Sequence, residues 1–357
     1  MKRTINAWRL AASLCIGLVG LTGLGAQTTP ASHNVTKMDG TTITVPNKID
    51  RIVTIFGPAY EKVFMLGAES KIVADGDFHI SGWPWSNVIY QRLNQVPGVP
   101  NAHVQLNIEE LLKYKPDVVF HFTKPAEIAA MGQVGICGVS SVFTNKLTGV
   151  RDDVNLYAQV LGGDSLKIAA DYASYFDSKL AWVKSRTDKL SSADRPRAYF
   201  ANQNIDWTAG KDSDIPELIQ LAGGTCVSAD VPGGSKTPIN FEQLASWDPQ
   251  FVFVDHAGSS GNATAEDVIK ASLADPKYQK ISAVKNNQVL IVPTGVFFWD
   301  SGVQKILLLQ WMAQKLHPQL FADLDMVKEL KSFYARFFYY QLTDDQARRI
   351  LAHLNPL

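Results

Sequence analysis

The chain has 357 residues, 46% hydrophobic and 19% charged, which predicts a folded protein with room for two domains and excludes wholesale disorder. Lys and Arg together number 34, as do Asp and Glu, so the chain lacks the basic excess typical of nucleic-acid binders and we expect no nucleic-acid partner. Its three cysteines exclude a disulfide-dense scaffold and a metal site made of four thiolates.

The first 26 residues have the features of a secretory signal peptide. Basic residues precede an apolar run over 10–24, and the small residues Gly25 and Ala26 follow it. The run is shorter than the roughly 20 apolar residues of a membrane span, so an uncleaved anchor is the weaker alternative. We expect a signal peptide over 1–26 and a secreted, periplasmic mature protein.

Strands and helices alternate over 35–163, the predicted N-terminal lobe. Residues 35–50 predict a β-hairpin that turns at Asp39-Gly40. The alternation that follows predicts βαβ units and a mainly parallel sheet. Apolar strands are predicted at 51–56, 71–74 and 118–122. A helical stretch is predicted after Gly57-Pro58, ending at Leu66-Gly67, and a second helix at 108–114.

Residues 165–192 contain neither Gly nor Pro. Their apolar positions recur at spacings of three, four and seven, which predicts one continuous amphipathic helix. At 1.5 Å per residue it would span about 40 Å, longer than an ordinary domain helix. We assign 164–192 to a linker helix. The recurring positions are Ala169, Ala173, Phe176, Leu180, Val183 and Leu190.

The βα pattern restarts after the linker, over 193–357. Residues 241–256 repeat the helix, proline and apolar strand of residues 108–122, once on each side of the long helix. We therefore predict an α/β fold in which two Rossmann-like lobes with mainly parallel sheets are joined by one long helix. The C-terminal lobe is predicted to contain strands at 197–201, 249–255 and 288–293, helices at 215–222 and 241–246, and a helical tail over 302–357 interrupted at Pro318.

Several short motifs occur in a particular order around the predicted linker. With these motifs in this order, the chain resembles the solute-binding proteins of ABC importers for chelated iron and cobalamin, specifically the group with a single helical linker. The resemblance covers about residues 40–320. Its landmarks are Ile52 to Gly57, the block Glu109 to Val119, Trp207 to Ser213, Leu221 to Gly224, and Pro293 to Ser301.

The resemblance implies that a ligand binds noncovalently in a cleft between the lobes, which the helix allows to open only by small angles. It implies that the partners are a membrane permease with its ATPase and a small-molecule metal chelate. It also implies one acidic docking residue on each lobe, Glu109 on the first. On the second lobe the matching position holds Gln220, so we assign docking to Glu217, one helical turn earlier. We expect a monomer without a resident metal or cofactor.

Ligands of α/β sheets gather at the carboxyl ends of strands, and here those loops are rich in aromatic residues. Aromatic faces suit flat or bulky ligands, and Lys124, Arg92 or Lys211 could neutralise an anionic complex. For any one ring, anchoring a loop in the core is an equally good interpretation. The predicted ligand-binding residues are Tyr60, Phe78, His79, Trp83, Trp85, Lys124, Trp207, His256, Phe298 and Trp299.

Histidines supply a second indication, because His79, His121 and His256 follow predicted strands. With Asp300 they could bind a bare zinc or manganese ion. Alternatively, His256 or His79 could fill an open position on a bound haem, corrinoid or nickel chelate.

Our sequence-based hypothesis is a periplasmic receptor for a chelated metal, with a ferric siderophore as the preferred ligand. Cobalamin or another corrinoid, haem and a nickel chelate are the alternatives, and direct zinc or manganese binding ranks below them. A secreted two-lobed enzyme is disfavoured because the sequence has no G-x-S-x-G elbow, no P-loop and no G-x-G-x-x-G after a strand.

Overall fold

The computed structural model describes residues 31–76, 84–90, 92–141, 145–256 and 265–357. The described chain starts with the predicted hairpin, formed by β1 (Ser32–Thr36) and β2 (Thr42–Pro46) in antiparallel register. The Asp39 carboxylate fixes the turn by accepting hydrogen bonds from the backbone and hydroxyl of Thr41.

The first lobe is built on a five-stranded sheet in the order β5-β4-β3-β6-β7, and all of its strand pairs are parallel. Its strands are β3 (Ile52–Thr54), β4 (Ile72–Gly76), β5 (Gly98–Val99), β6 (Val118–His121) and β7 (Cys137–Ser140). The helices of this lobe are α1 (Gly57–Met65), α2 (Pro84–Ile89), α3 (Ile108–Leu112), α4 (Pro125–Gln133) and α5 (Gly149–Leu161).

The second lobe has a sheet in the order β11-β9-β8-β12-β13, with β10 also paired to β8. The pairs among β8, β10, β12 and β13 are parallel, whereas β9 and β11 add an antiparallel edge. The strands are β8 (Arg197–Asn202), β9 (Trp207–Thr208), β10 (Thr225–Cys226), β11 (Thr237–Pro238), β12 (Phe251–Asp255) and β13 (Val289–Ile291). Its first four helices are α7 (Ile215–Leu221), α8 (Phe241–Trp247), α9 (Ala265–Ser272) and α10 (Ser282–Lys285).

The linker is a single helix, α6 (Ser165–Thr187), which ends five residues before the predicted boundary at 192. It ends there because the Thr187 hydroxyl donates to the carbonyl of Leu221 and Arg195 donates to the carbonyl of Thr187. The Arg195 bond satisfies a carbonyl of the last turn, and the Thr187 bond ties the end of the linker to α7. The helix packs on α5 of the first lobe and on α7 of the second.

The C-terminal tail is helical, as predicted, and consists of α11 (Lys305–Leu316), α12 (Met326–Phe337) and α13 (Asp344–Leu351). It returns to the first lobe, where Tyr339 donates to the carbonyl of Met65 and the Trp85 indole donates to the carbonyl of Leu354. One hydrophobic cluster therefore runs through both lobes. Within the described ranges, no helix is both long and apolar enough to span a bilayer.

The repeated unit seen in the sequence is also a structural repeat. Asn107 caps α3 and Asn240 caps α8, each side chain accepting backbone N–H groups of the first turn. Each helix then leads through a proline into a central parallel strand, β6 or β12. The predicted fold class, two Rossmann-like lobes joined by one long helix, is confirmed.

Candidate functional site

A cavity of about 310 Å³ lies between the lobes, and both lobes contribute its walls. The first lobe supplies Lys62 and Asp153, and the second supplies Asp214, Asp300 and Lys305. The residues that line it in the described chain include several charged side chains and no aromatic one. This differs from the aromatic cleft that the sequence predicted.

Two buried ion pairs face this cavity. The Lys62 ammonium pairs with the Asp153 carboxylate in the first lobe, and Lys305 pairs with Asp214 at 2.5 Å in the second. Burial raises the pKa of the Asp214 carboxyl, an effect that Lys305 opposes. Among the described residues, Asp153 Oδ1 has no hydrogen-bond partner, so the cavity wall retains an unused acceptor.

His256 lies at the carboxyl end of β12, beside the cavity residue Asp300. Its Nε2 is 2.9 Å from Asp300 Oδ1, its backbone N–H donates to Asp255 Oδ1, and its ring stacks on Phe298. Its backbone has a φ of +56°, which turns the chain sharply at the strand end. Burial lowers the pKa of His256, but the carboxylates of Asp300 and Asp255 outweigh it and raise that pKa to about 9.

Asp255, His256 and Asp300 each offer one ligand atom, and the three atoms lie within 4.8 Å of one another. Imidazole nitrogen with carboxylate oxygen is a donor set that suits zinc, nickel and related divalent ions. The predicted proximity of His256 and Asp300 is observed. By contrast, His121 is fully buried in the first lobe against Glu127.

Three predicted aromatic residues are packed in the core instead of lining an open cleft. Tyr60 donates to Glu69 at 2.8 Å, and Trp85 donates to the tail carbonyl described above. Trp299 has no exposed surface and donates to Gln304 at 3.1 Å. Because each polar end has an internal partner, these rings act as core residues in this structure.

The other predicted ligand contacts are more dispersed. Phe298 lies beside His256, and Trp207 is half-buried with the Lys236 ammonium 5.2 Å from its ring centre. Lys124 donates to the backbone carbonyls of His103 and Val104 within its own lobe. Of the weaker cationic candidates, Arg92 donates to a backbone carbonyl of the first lobe and Lys211 is exposed. Phe78, His79 and Trp83 lie outside the described residues.

The two predicted docking residues differ in their surroundings. Glu109 is exposed in the first turn of α3. Glu217 accepts a hydrogen bond of 2.6 Å from the backbone of Leu147 and pairs with Lys146 at 3.2 Å, both in the first lobe. Glu217 therefore takes part in a contact between the lobes.

Sequence reasoning predicted Asp300 but missed the four residues of the two buried ion pairs in the cavity wall. Lys62 gave one usable indication, because Glu61 and Lys62 are the only charged residues in the otherwise largely apolar segment 57–66. Asp153, Asp214 and Lys305 gave none, because their role depends on pairing across long stretches of sequence.

Comparisons with known proteins identify the family to which the chain belongs. A family model described as periplasmic binding protein matches residues 52–294, so the chain belongs to this family of periplasmic solute-binding proteins of ABC importers. It is 27% identical to the molybdate-binding protein MolA of Haemophilus influenzae, covering 86% of this chain and 91% of that protein. It is 25% identical to a cobalamin-binding protein of Halobacterium salinarum, covering 76% of this chain and 74% of that protein.

Solved structures agree in fold. A periplasmic solute-binding protein of Veillonella parvula superposes with a TM-score of 0.74 at 25% identity, covering 90% of this chain and 97% of that one. Helicobacter pylori CeuE, in a nickel–histidine complex, superposes with a TM-score of 0.72 at 19% identity, covering 90% and 99%. The chain is thus a transport protein of the binding-protein class and not an enzyme.

Glu109→Ala is expected to weaken docking to the cognate permease about tenfold, equivalent to ~1.4 kcal/mol, while ligand affinity stays unchanged. Glu109 is exposed, so a docking partner can reach its carboxylate. It does not line the described cavity, so ligand affinity should not depend on it. Docking to permease in nanodiscs and ligand titration would measure the two effects. Glu110→Ala is the matched control, because Glu110 pairs with Lys113 on the same helix. A fall in ligand affinity would instead assign Glu109 to the ligand site.

Proposed function

We propose that this protein captures a compact transition-metal complex between its lobes and delivers it, as a monomer, to the permease and ATPase of an ABC importer. The observation that carries the proposal is the group Asp255, His256 and Asp300, of which Asp300 lines the interlobe cavity. One imidazole with two carboxylates can complete the coordination of a metal whose other positions are held by a small chelator.

The relatives support a metal in the ligand without choosing among metals. Their names specify molybdate, cobalamin and, for one solved structure, a nickel–histidine complex. These solutes differ in size and charge, but each contains a transition metal. That common property is the part we transfer to this chain.

Size favours the smaller members of this group. Pockets for drug-sized ligands measure about 300–1,000 Å³, and the cavity, at about 310 Å³, is at the lower limit. A ferric siderophore or a corrinoid would require the lobes to separate. We therefore rank a compact nickel-type chelate above the ferric siderophore that the sequence favoured.

A small oxyanion is the second candidate. Lys62 and Lys305 are buried at the cavity wall, and Lys146 lies at its edge. Ammonium groups bind oxyanions by charge-assisted hydrogen bonds. However, Asp153 and Asp214 already neutralise the two buried lysines, so this observation has less weight.

The test is identification of the bound solute. Protein from the periplasm would be examined by native mass spectrometry and visible absorption, then titrated calorimetrically with nickel–histidine, molybdate, cyanocobalamin and a ferric hydroxamate. We expect stoichiometric binding of nickel–histidine without turnover. Tight binding of molybdate alone would favour the second candidate, and a co-purified solute without metal would refute the proposal.

A further inference from the structure

Glu61 is a carboxylate of the first lobe that bonds to the second lobe. It lies on α1 and has no exposed surface. Its Oε2 accepts the backbone N–H of Val303 at 2.9 Å, and its Oε1 accepts the side-chain amide of Gln304 at 2.9 Å. Val303 and Gln304 lie directly before α11, so a side chain of one lobe bonds to the residues that lead into a helix of the other.

The groups around this carboxylate are arranged to receive it. A Cβ on Gly302 would lie 1.9 Å from Glu61 Oε2, so the close approach requires glycine there. The other end of the Gln304 amide, its Oε1, accepts from the Trp299 indole at 3.1 Å and from the Tyr334 hydroxyl at 2.7 Å. This network fixes the orientation of the amide, so its NH₂ group must face Glu61.

We propose that Glu61 is a residue that positions the two lobes relative to each other, through an interlobe clasp formed by Glu61, Val303 and Gln304. Two charge-assisted bonds hold the carboxylate, and the positive end of α11 favours its negative charge. Losing the carboxylate leaves buried donors without acceptors, which is costlier than losing an exposed bond. The lobes then gain freedom to separate.

The clasp should respond to protons. Burial raises the pKa of Glu61 to about 7, although Val303, Gln304 and Lys62 oppose the shift. The other titratable groups that face it in the described chain are neutral phenols, namely Tyr90 after α2, Tyr172 on α6 and Tyr334 on α12. Because both carboxylate oxygens accept hydrogen bonds, a proton on either one displaces a donor. The clasp is therefore complete above pH 7 and weakened below it.

The test measures the distance between the lobes in the ligand-free protein. Spin labels would be attached at the exposed positions Ala129 on α4 and Glu242 on α8, after replacement of Cys137 and Cys226 by alanine. In the parent protein, double electron–electron resonance should give a narrow distribution at pH 8 that broadens toward longer distances with a midpoint near pH 7. Glu61→Gln should give the broad distribution at every pH. A narrow distribution and an unchanged pH profile in this variant would overturn the proposal.

A swapped pair keeps the test decisive if the single variant does not fold. This double variant combines Glu61→Gln with Gln304→Glu. The carboxylate at position 304 can then accept from Trp299, Tyr334 and the amide at position 61. The oxygen of that amide can accept from the Val303 N–H. We expect the narrow distribution at pH 8 to return. A swapped protein that is unfolded or broadly distributed overturns the proposal.

A partly buried carboxylate, 13% exposed, serves as the control for loss of charge alone. Glu329 on α12 accepts from Tyr175 and pairs with Lys179, both on α6, and neither bond involves α1. Glu329→Gln should leave the distance distribution and its pH midpoint unchanged. A shift equal to that of Glu61→Gln would show that the effect is not specific to the clasp and would overturn the proposal.

Discussion

Lys62→Met is expected to lower the free energy of unfolding by about 3–5 kcal/mol, because it leaves a buried carboxylate without its cation. The side chains of Lys62 and Asp153 are only 6% and 9% exposed, so little solvent reaches the carboxylate to replace the lost cation. Urea denaturation followed by tryptophan fluorescence would measure the change.

The paired replacement separates charge from packing. Lys62→Met with Asp153→Leu removes both charges and should regain most of the lost stability, since apolar pairs of similar volume often replace buried ion pairs without cost. Lys48→Met is the exposed control, because Lys48 is 86% exposed in its pair with Asp50 and such pairs contribute about 0–1 kcal/mol. A change below about 1 kcal/mol for Lys62→Met would contradict the importance of the buried pair.

His256→Gln is expected to weaken nickel–histidine binding about 100-fold or more, because loss of even an indirect partner of a metal costs about 10–100-fold. The glutamine amide can still donate to Asp300, so the site keeps its hydrogen bond while losing the imidazole. Calorimetric titration would give the affinity, and thermal unfolding would verify that the protein remains folded.

His33→Ala is the control for the loss of a histidine as such. His33 lies in the N-terminal hairpin and bonds to Asn47 and to the backbone of Gln159, away from the cavity. It should leave the affinity unchanged. If His256→Gln also binds nickel–histidine normally, His256 does not contact the metal, and the proposed coordination is wrong.

The sequence predicted the fold well because fold depends on local patterns. Each pattern behind that prediction is visible within a short stretch of sequence. The patterns are the alternation of apolar strands and helices, one long segment without Gly or Pro, and a helix–proline–strand repeat. The approach of His256 to Asp300 could be predicted for a related reason, since both residues follow strands of one sheet, β12 and β13.

The contents of the cavity could not be predicted in the same way. Lys62 and Asp153 are 91 residues apart, and no local pattern indicates that they pair. Trp85 and Trp299 were predicted as cleft residues because they lie in aromatic-rich loops that follow predicted strands. The sequence does not show that their indole N–H groups donate inward, to Leu354 in the distant tail and to Gln304 at the start of α11.

The return of the tail to the first lobe has a consequence for how this chain acquires its shape. The bonds from Tyr339 to Met65 and from Trp85 to Leu354 join residues 274 and 269 positions apart. Contacts of such sequence separation form slowly, since a long loop must close before they stabilise anything. The first lobe therefore lacks part of its packing until residue 354 has emerged from the ribosome, so its assembly depends on a segment that is synthesised late.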